Sequence, residues 1–246
     1  MTISQRNGTT LTATTNNTYF LDRWKFYQNG SCVVSTQQLG SSSTPAATLT
    51  TASSENQNAV MSLDCTTAAS IGGSDLLGVL QLIEGYTSVP MCSKPMTLTF
   101  WVNSSVTGQY YVAFKIAATR TYVAPYTISS ADTWEKKTIT LTMDTYANLA
   151  ASGGAAVTNS SGFQVYWGLR LGTSSQQTAT TGSWVAGNFY GTSSQVTWGT
   201  STSDTFYLGA VQFEHGSSGT PFEHEIISET LQKCMRYYQL PHNWQA

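Results

Sequence analysis

The sequence predicts an all-β chain folded as a two-sheet antiparallel β-sandwich of jelly-roll type, with a short C-terminal α-helix. Three observations lead there. Runs of alternating apolar and polar residues recur at roughly 8–12-residue spacing, with Gly/Ser turns between them. The composition is rich in Thr, Ser, Gly and aromatic residues while only 10% is charged, which is the usage of sheets with many turns. No segment repeats at a fixed period, which sets aside propellers and solenoids.

The elements follow in order. Tyr19–Phe26 reads as the first strand, with Phe20, Trp24 and Phe26 on one face and Leu21, Arg23 and Lys25 on the other. Asn29-Gly30-Ser31 signals a turn, and Cys32-Val33-Val34 a second strand. Residues 40–58, rich in Ser, Thr and Ala around Pro45, read as loop. Ala59–Asp64 is a short strand. Leu76–Glu84 is apolar throughout and fits a strand better than a helix, with a short helix as the alternative.

The clearest strands come next. Thr97–Asn103 sets Leu98, Phe100 and Val102 against Thr97, Thr99 and Trp101. After a turn at 104–108, Gln109–Ala117 places Tyr110, Val112, Phe114 and Ile116 on one face. Tyr122–Ile128 and Thr133–Thr142 continue the series. Residues 144–162 form an Ala/Gly/Ser-rich excursion with a helical turn near Tyr146–Ala151. Phe163–Leu171 aims Phe163, Val165, Trp167, Leu169 and Leu171 one way, and Gln164, Tyr166 and Arg170 the other. Residues 172–203 read as a long loop carrying Trp184 and Trp198, and Thr205–Glu214 is the last strand. Trp24, Trp134 and Trp167 read as core.

At the C-terminus, Ser228 reads as an N-cap for a helix over Glu229–Tyr238. Leu231, Cys234, Met235 and Tyr238 share one helical face, suited to docking on the sandwich or to an oligomer contact. Pro241 ends it. The expected organisation is an N-terminal extension over 1–18, a sandwich domain over 19–222, and a C-terminal helix and tail over 223–246.

Charge and cysteines narrow the function classes. A net charge of −2 over 246 residues lacks the basic field that nucleic-acid binding needs. No apolar run approaches the roughly 20 residues of a membrane span, and residues 1–18 lack the apolar stretch of a signal peptide. Cys32, Cys65, Cys92 and Cys234 form no C-x-x-C pair and have no nearby His, which argues against a zinc site; their even number allows disulfides, but with no signal peptide they read as free buried thiols. Sequons at Asn7, Asn16, Asn29, Asn103 and Asn159 read as chance matches in a Ser/Thr-rich chain.

Three stretches together resemble a known family. Gln5-Arg6-Asn7-Gly8-Thr9 followed by Phe20-Leu21-Asp22-Arg23-Trp24 resembles its start. Pro95–Val102 and Asp132-Thr133-Trp134-Glu135-Lys136-Lys137 resemble its centre. Gly209–Glu214, Thr220–His224 and Cys234-Met235-Arg236-Tyr237-Tyr238 resemble its end. The family is the C-terminal module of bacteriophage tail-fibre and related virion structural proteins. The resemblance implies a jelly roll similar to carbohydrate-binding modules, placed at the distal end of fibres that are commonly trimers. It implies no transferable catalytic motif. It also implies a localisation in the virion, assembled in the bacterial host cytoplasm, where thiols stay reduced. Relatives usually carry a short hydrophobic segment and a fibre shaft before the first motif. Here Met1 stands almost at it, which suits a short free-standing virion protein or a cut reading frame.

Off-phase aromatic and basic residues are the candidate ligand contacts. Trp101, Tyr111, Lys115, Tyr166 and Arg170 each face away from the core row of their strand. An aromatic platform with polar neighbours grips a sugar ring by stacking and hydrogen bonding. The competing role for each is packing under a loop or in a subunit interface. Trp184 and Trp198 could rim such a site or pin their loop down. Asp22-Arg23 reads as a local ion pair or turn contact near the strand. Glu214-His215 and Glu223-His224-Glu225 form the only His/Glu cluster, better suited to capping backbone groups than to holding a metal. No cofactor is expected. G-x-S-x-G, H-E-x-x-H and P-loop motifs are absent, and all three His follow residue 214. The resemblance, together with the off-phase aromatics, implies a non-enzymatic virion protein that binds a host-surface glycan as a homotrimer alongside other virion proteins. A decoration, cement or connector role is the alternative.

Overall fold

The computed structural model describes residues 5, 12–13, 16–53, 59–152, 157–174, 176–178 and 180–239. In chain order the elements are β1 (Thr12–Ala13), β2 (Tyr19–Leu21), β3 (Trp24–Asn29), β4 (Val33–Gly40), α1 (Ala46–Ser53), β5 (Ala59–Thr67) and β6 (Leu76–Glu84). Then follow α2 (Gly85–Ser88), a 3-10 turn (Val89–Met91), β7 (Pro95–Ser104), β8 (Gly108–Ile116), β9 (Arg120–Ile128) and β10 (Glu135–Thr142). The chain continues with α3 (Tyr146–Ala151), β11 (Ser161–Leu171), β12 (Trp184–Ala186), β13 (Thr205–His215) and α4 (Ile227–Met235).

The strands form two antiparallel sheets. One has six strands in the order β1-β4-β5-β13-β7-β10, and the other has seven in the order β12-β9-β8-β11-β6-β3-β2. The two-sheet sandwich predicted from the sequence is present. Its core is the period-two stripe of each strand: Leu98, Phe100 and Val102 from β7 face Tyr110, Val112, Phe114 and Ile116 from β8 and Phe163, Val165 and Trp167 from β11. Trp167 contacts Trp24 at 5.3 Å between ring centroids and meets Phe100 edge-on at 5.9 Å.

Where the alternation fails, both faces are covered. In β6, Leu77 and Val79 enter the main core while Leu76 and Leu80 join a second cluster on the outer face. A strand apolar on both sides loses its alternation, which is why this segment was ambiguous.

Several expectations are corrected. Tyr19–Phe26 is not one strand. Arg23 adopts φ 68° and turns the chain, so β2 and β3 pair through Leu21 and Trp24, and both side chains are buried. Residues 40–58 are not all loop, because α1 lies over the outer face of the six-stranded sheet. Ala46 and Leu49 pack there on Val60 and Trp134. With so few buried residues α1 shows little helical periodicity. Trp134 is buried in this cluster rather than between the sheets, and its indole N–H donates to the Pro45 carbonyl at 3.0 Å. Trp198 lies in the main core, and Trp184 belongs to the short strand β12.

The C-terminal helix starts earlier than predicted, at Ile227 with Ile226 as N-cap and no side-chain cap. Of its expected stripe only Cys234 is fully buried, while Leu231 and Met235 are 36% and 38% exposed. Arg236 joins the region to β6 by pairing with Glu84 at 2.7 Å. All four cysteines are free thiols, and the sequon at Asn103 is buried. Pro241, most of the 1–18 extension, and the Asn7 sequon lie outside the described residues. Among the described residues no helix is long and apolar enough to cross a membrane.

Candidate functional site

The outer face of the seven-stranded sheet carries a cleft, and the strand registers determine its floor. One row across four strands is Tyr111, Gly168, Gly78 and Tyr27. The next is Ala113, Tyr166, Leu80 and Lys25, and the third is Lys115, Gln164 and Leu82. The two glycines make the first row shallow. A Cβ on Gly78 would stand 2.5 Å from Tyr166 Cζ, so only glycine leaves room for that ring.

A segment over residues 187–195 folds back across this face. Thr121 anchors it by donating to the Gly187 carbonyl (2.9 Å) and accepting from the Phe189 amide (3.2 Å). The Tyr111 hydroxyl bonds Thr192 at 2.5 Å, and the Gln195 amide donates to the Gly168 carbonyl at 3.2 Å. Tyr190 is thereby set parallel to Tyr27, 6.2 Å apart with 12° between planes, and edge-on to Tyr166 at 4.8 Å.

What stays open is a cleft of about 390 Å³ walled by Tyr27 and Tyr190 and floored by Leu80, Leu82, Lys115 and Gln164. Lys25, Asn17 and Asn188 stand at its edge. Leu82 also borders a neighbouring hollow of about 200 Å³ lined by Tyr19, Arg23, Glu84 and Tyr237.

The electrostatics of the cleft centre on Lys115. Its residue is 2% exposed, and its Nζ sits 3.3 Å from the Tyr190 ring centroid. Burial pushes the amine down to about 7. Burial, reinforced by Tyr27, raises the Tyr190 hydroxyl. Tyr166 is fully buried and likewise raised, and among the described residues its hydroxyl has no hydrogen-bond partner.

The five residues singled out from the sequence are dispersed. Tyr111, Lys115 and Tyr166 do share one outer face, but Tyr111 and Tyr166 are sealed beneath the 187–195 segment, so neither is an open platform. Lys115 alone borders the cleft. Trp101 is on the other sheet, packed half-buried against the α1 cluster. Arg170 is buried in an ion pair with Asp75, because a bulge after Gly168 shifts the strand's phase. Leu171, expected in the core, consequently joins the outer cluster with Tyr166 and Tyr190.

Sequence reasoning missed Tyr27, Tyr190 and Lys25. Tyr27 fell just past the strand as first bounded, and Tyr190 sat in a featureless loop. Gln164 carried the right signal, since it was off-phase in the same way as Tyr166.

The His/Glu cluster has other employment. Glu214 accepts from the Thr220 amide at 2.9 Å, His224 packs edge-on to Phe222, and Glu225 pairs with Lys233 at 2.5 Å. Among the described residues no group of three His, Cys, Asp or Glu is placed to hold a metal ion.

No protein-family model matches the chain, and no curated protein matches it. Several solved structures are similar over most of the chain at low scores. The family 11 carbohydrate-binding module of the cellulosomal cellulase Lic26A-Cel5E of Clostridium thermocellum has a TM-score of 0.40 at 10% identity, covering 86% of this chain and 98% of that one. The CBM22-1–GH10 modules of Clostridium thermocellum xylanase 10B give 0.39 at 10% identity, over 83% and 28% of the respective chains. The enzymatically active domain of Bacteriophage CBA120 tailspike protein 4 gives 0.36 at 9% identity, over 78% of this chain. This chain spans only 19% of that tailspike chain. At these scores the similarity is one of general outline.

Proposed function

We propose that this chain is a non-catalytic module that binds glycan in the cleft between β3, β11 and the 187–195 segment. One observation carries the reading: Tyr190 and Tyr27 form a paired aromatic wall beside the polar row Lys115–Gln164. Aromatic faces stack on the apolar side of a sugar ring, while amide and ammonium donors take its oxygens. The absence of catalysis is supported by the lining. Among the described residues no carboxylate lines this cleft, whereas glycoside hydrolysis typically uses a pair.

The setting proposed is a phage virion appendage in which the module assembles as a homotrimer. Its support is the ordered resemblance of three stretches to tail-fibre modules. Some described residues of those stretches shape the local fold. Arg23 makes the β2–β3 turn, and Gln212 with Glu214 clamps the chain at Thr220 and Glu223. A decoration or connector role is favoured by a different observation, the exposed apolar side chains Ile226, Ile227, Leu231 and Met235 around α4.

A glycan array probed with the isolated protein, together with a host-cell adsorption assay, tests the proposal. Binding that is lost in Tyr27→Ala, in a variant with an unchanged melting curve, is the expected result. Absence of binding, with the protein mapped inside a capsid lattice, would favour the connector role.

A further inference from the structure

Resting on the glycan reading, we propose that the cleft selects an acidic sugar, whose carboxylate pairs with Lys115 and lies within reach of Lys25. The chemistry of the lining leads to this class of ligand.

Lys115 lies on the outer face of β8, opposite Gln164 of β11 and Thr121 of β9. It is nearly inaccessible, yet it borders the cleft. A buried ammonium is costly unless paired. Its compensation among the described residues is the Tyr190 ring at 3.3 Å, a contact weaker than an ion pair in a desolvated site.

Among the described residues no carboxylate lines the cleft. Lys115 contacts the Tyr190 ring of the covering segment and shares the cleft with Tyr27 and Lys25 from β3, while Tyr166 from β11 meets Tyr190 from beneath. Burial lowers the Lys115 amine to about 7. Glu84, which lines the neighbouring hollow, is engaged by Arg236 through contacts of 2.7 and 3.2 Å. The charged residues lining the cleft are therefore two lysines.

A neutral sugar entering this space leaves the ammonium as poorly compensated as before. A uronic or ulosonic acid residue supplies the missing counter-charge. Its second oxygen can accept from the Gln164 amide, the residue in register with Lys115. The ring can then stack against Tyr27, the half-buried member of the aromatic pair. Selectivity for the acid over its neutral counterpart follows from leaving a buried charge unpaired in the neutral case.

The test uses the full chain and matched probes: oligogalacturonate, oligosialate and a glucuronate-containing oligosaccharide, each beside its carboxyl-reduced neutral form. Sulfated oligosaccharides form a further arm. The expected result is tighter binding of at least one carboxylate-bearing probe, by about tenfold or more over its reduced form. Lys115→Met should erase that preference, and Lys115→Arg should retain most of it. Both variants are checked by melting curves.

A pH series gives a second readout. With an amine that titrates near 7 when free, affinity for the acid should fall as pH rises above 7, by up to tenfold per unit until the liganded amine titrates. The Arg variant should show no such fall. Equal binding of acidic and neutral forms, lost in Tyr190→Ala, would overturn the acid preference and leave the cleft as a glycan site. Preference for sulfated over carboxylated probes would overturn the choice of ligand class. Failure of every probe and of a broad glycan array would remove the glycan reading itself.

Discussion

Arg170 and Asp75 form a buried ion pair at the end of the seven-stranded sheet, with Arg170 Nε 2.9 Å and Nη2 2.8 Å from Asp75 Oδ2. The same guanidinium donates to the carbonyls of Ala69 (3.0 Å), Ser70 (2.5 Å) and Gly199 (3.3 Å). It thus ties β11 to the loop before β6 and the loop before β13. Gly72 packs so tightly on this carboxylate that an added Cβ would stand 2.8 Å from Oδ1. Removing one partner of a buried pair leaves an uncompensated charge. Arg170→Met should therefore cost about 3–5 kcal/mol in urea unfolding. A loss under about 1 kcal/mol, the range of exposed pairs, would show that the pair is solvent-screened.

Lys115 makes stability depend on pH with a definite sign. Its folded amine titrates near 7, below its ordinary value of 10.5, so between these values the unfolded chain binds more protons. Stability gained from this residue therefore rises with pH across that window, and the burial penalty is greatest below pH 7. Lys115→Met should melt higher than wild type at pH 6, by an amount equivalent to about 1–4 kcal/mol. The gap should narrow as pH approaches 10. Taking the difference between the two proteins cancels the cysteine and tyrosine titrations. A gap independent of pH would rule out a buried ammonium.

Gly78 holds the floor of the cleft open for Tyr166. An added methyl group would meet the Trp167 carbonyl at 2.2 Å and the Tyr166 ring at 2.5 Å, and the former is backbone that cannot swing away. Gly78→Ala should destabilise by about 1–3 kcal/mol or more through overpacking. Near-ultraviolet circular dichroism should report displacement of the Tyr166–Tyr190 pair. An unchanged tyrosine spectrum and melting curve would contradict the packing described.

Leu49 carries the docking of α1. It is fully buried against Val60 and Trp134, so Leu49→Ala should cost about 2–5 kcal/mol. Amide exchange should quicken over residues 46–53 more than in β8 or β11. Uniform quickening of the whole sandwich would show that α1 does not open on its own.

The sandwich was legible because β7, β8 and β11 keep one apolar stripe each, and period two is a local property. Local phase also found Lys115, since β8 runs without a bulge past it. The same rule misplaced Arg170, because the slip after Gly168 depends on pairing with Gly78, 90 positions away in sequence. Trp101 was correctly placed on an outer face. Which sheet that face belongs to depends on β7 pairing with β13 and β10, contacts of long sequence separation. Tyr190 had no periodic signal at all. Its position comes from hydrogen bonds of its segment to Thr121 and Gln176, and these exist only once the sheet has formed. The helix α1 escaped notice because a surface helix that buries two side chains leaves little amphipathic trace.

The central claim, that the cleft of the seven-stranded sheet is the glycan site, is tested most directly by calorimetry on a glycan captured from an array. Wild type, Tyr190→Ala and Trp101→Phe are compared, with melting curves confirming each fold. The expected result is a loss of about tenfold or more for Tyr190→Ala, from the lost cleft wall, with Trp101→Phe unchanged. Undiminished binding by Tyr190→Ala together with a loss in Trp101→Phe would place the ligand on the six-stranded sheet and contradict the claim.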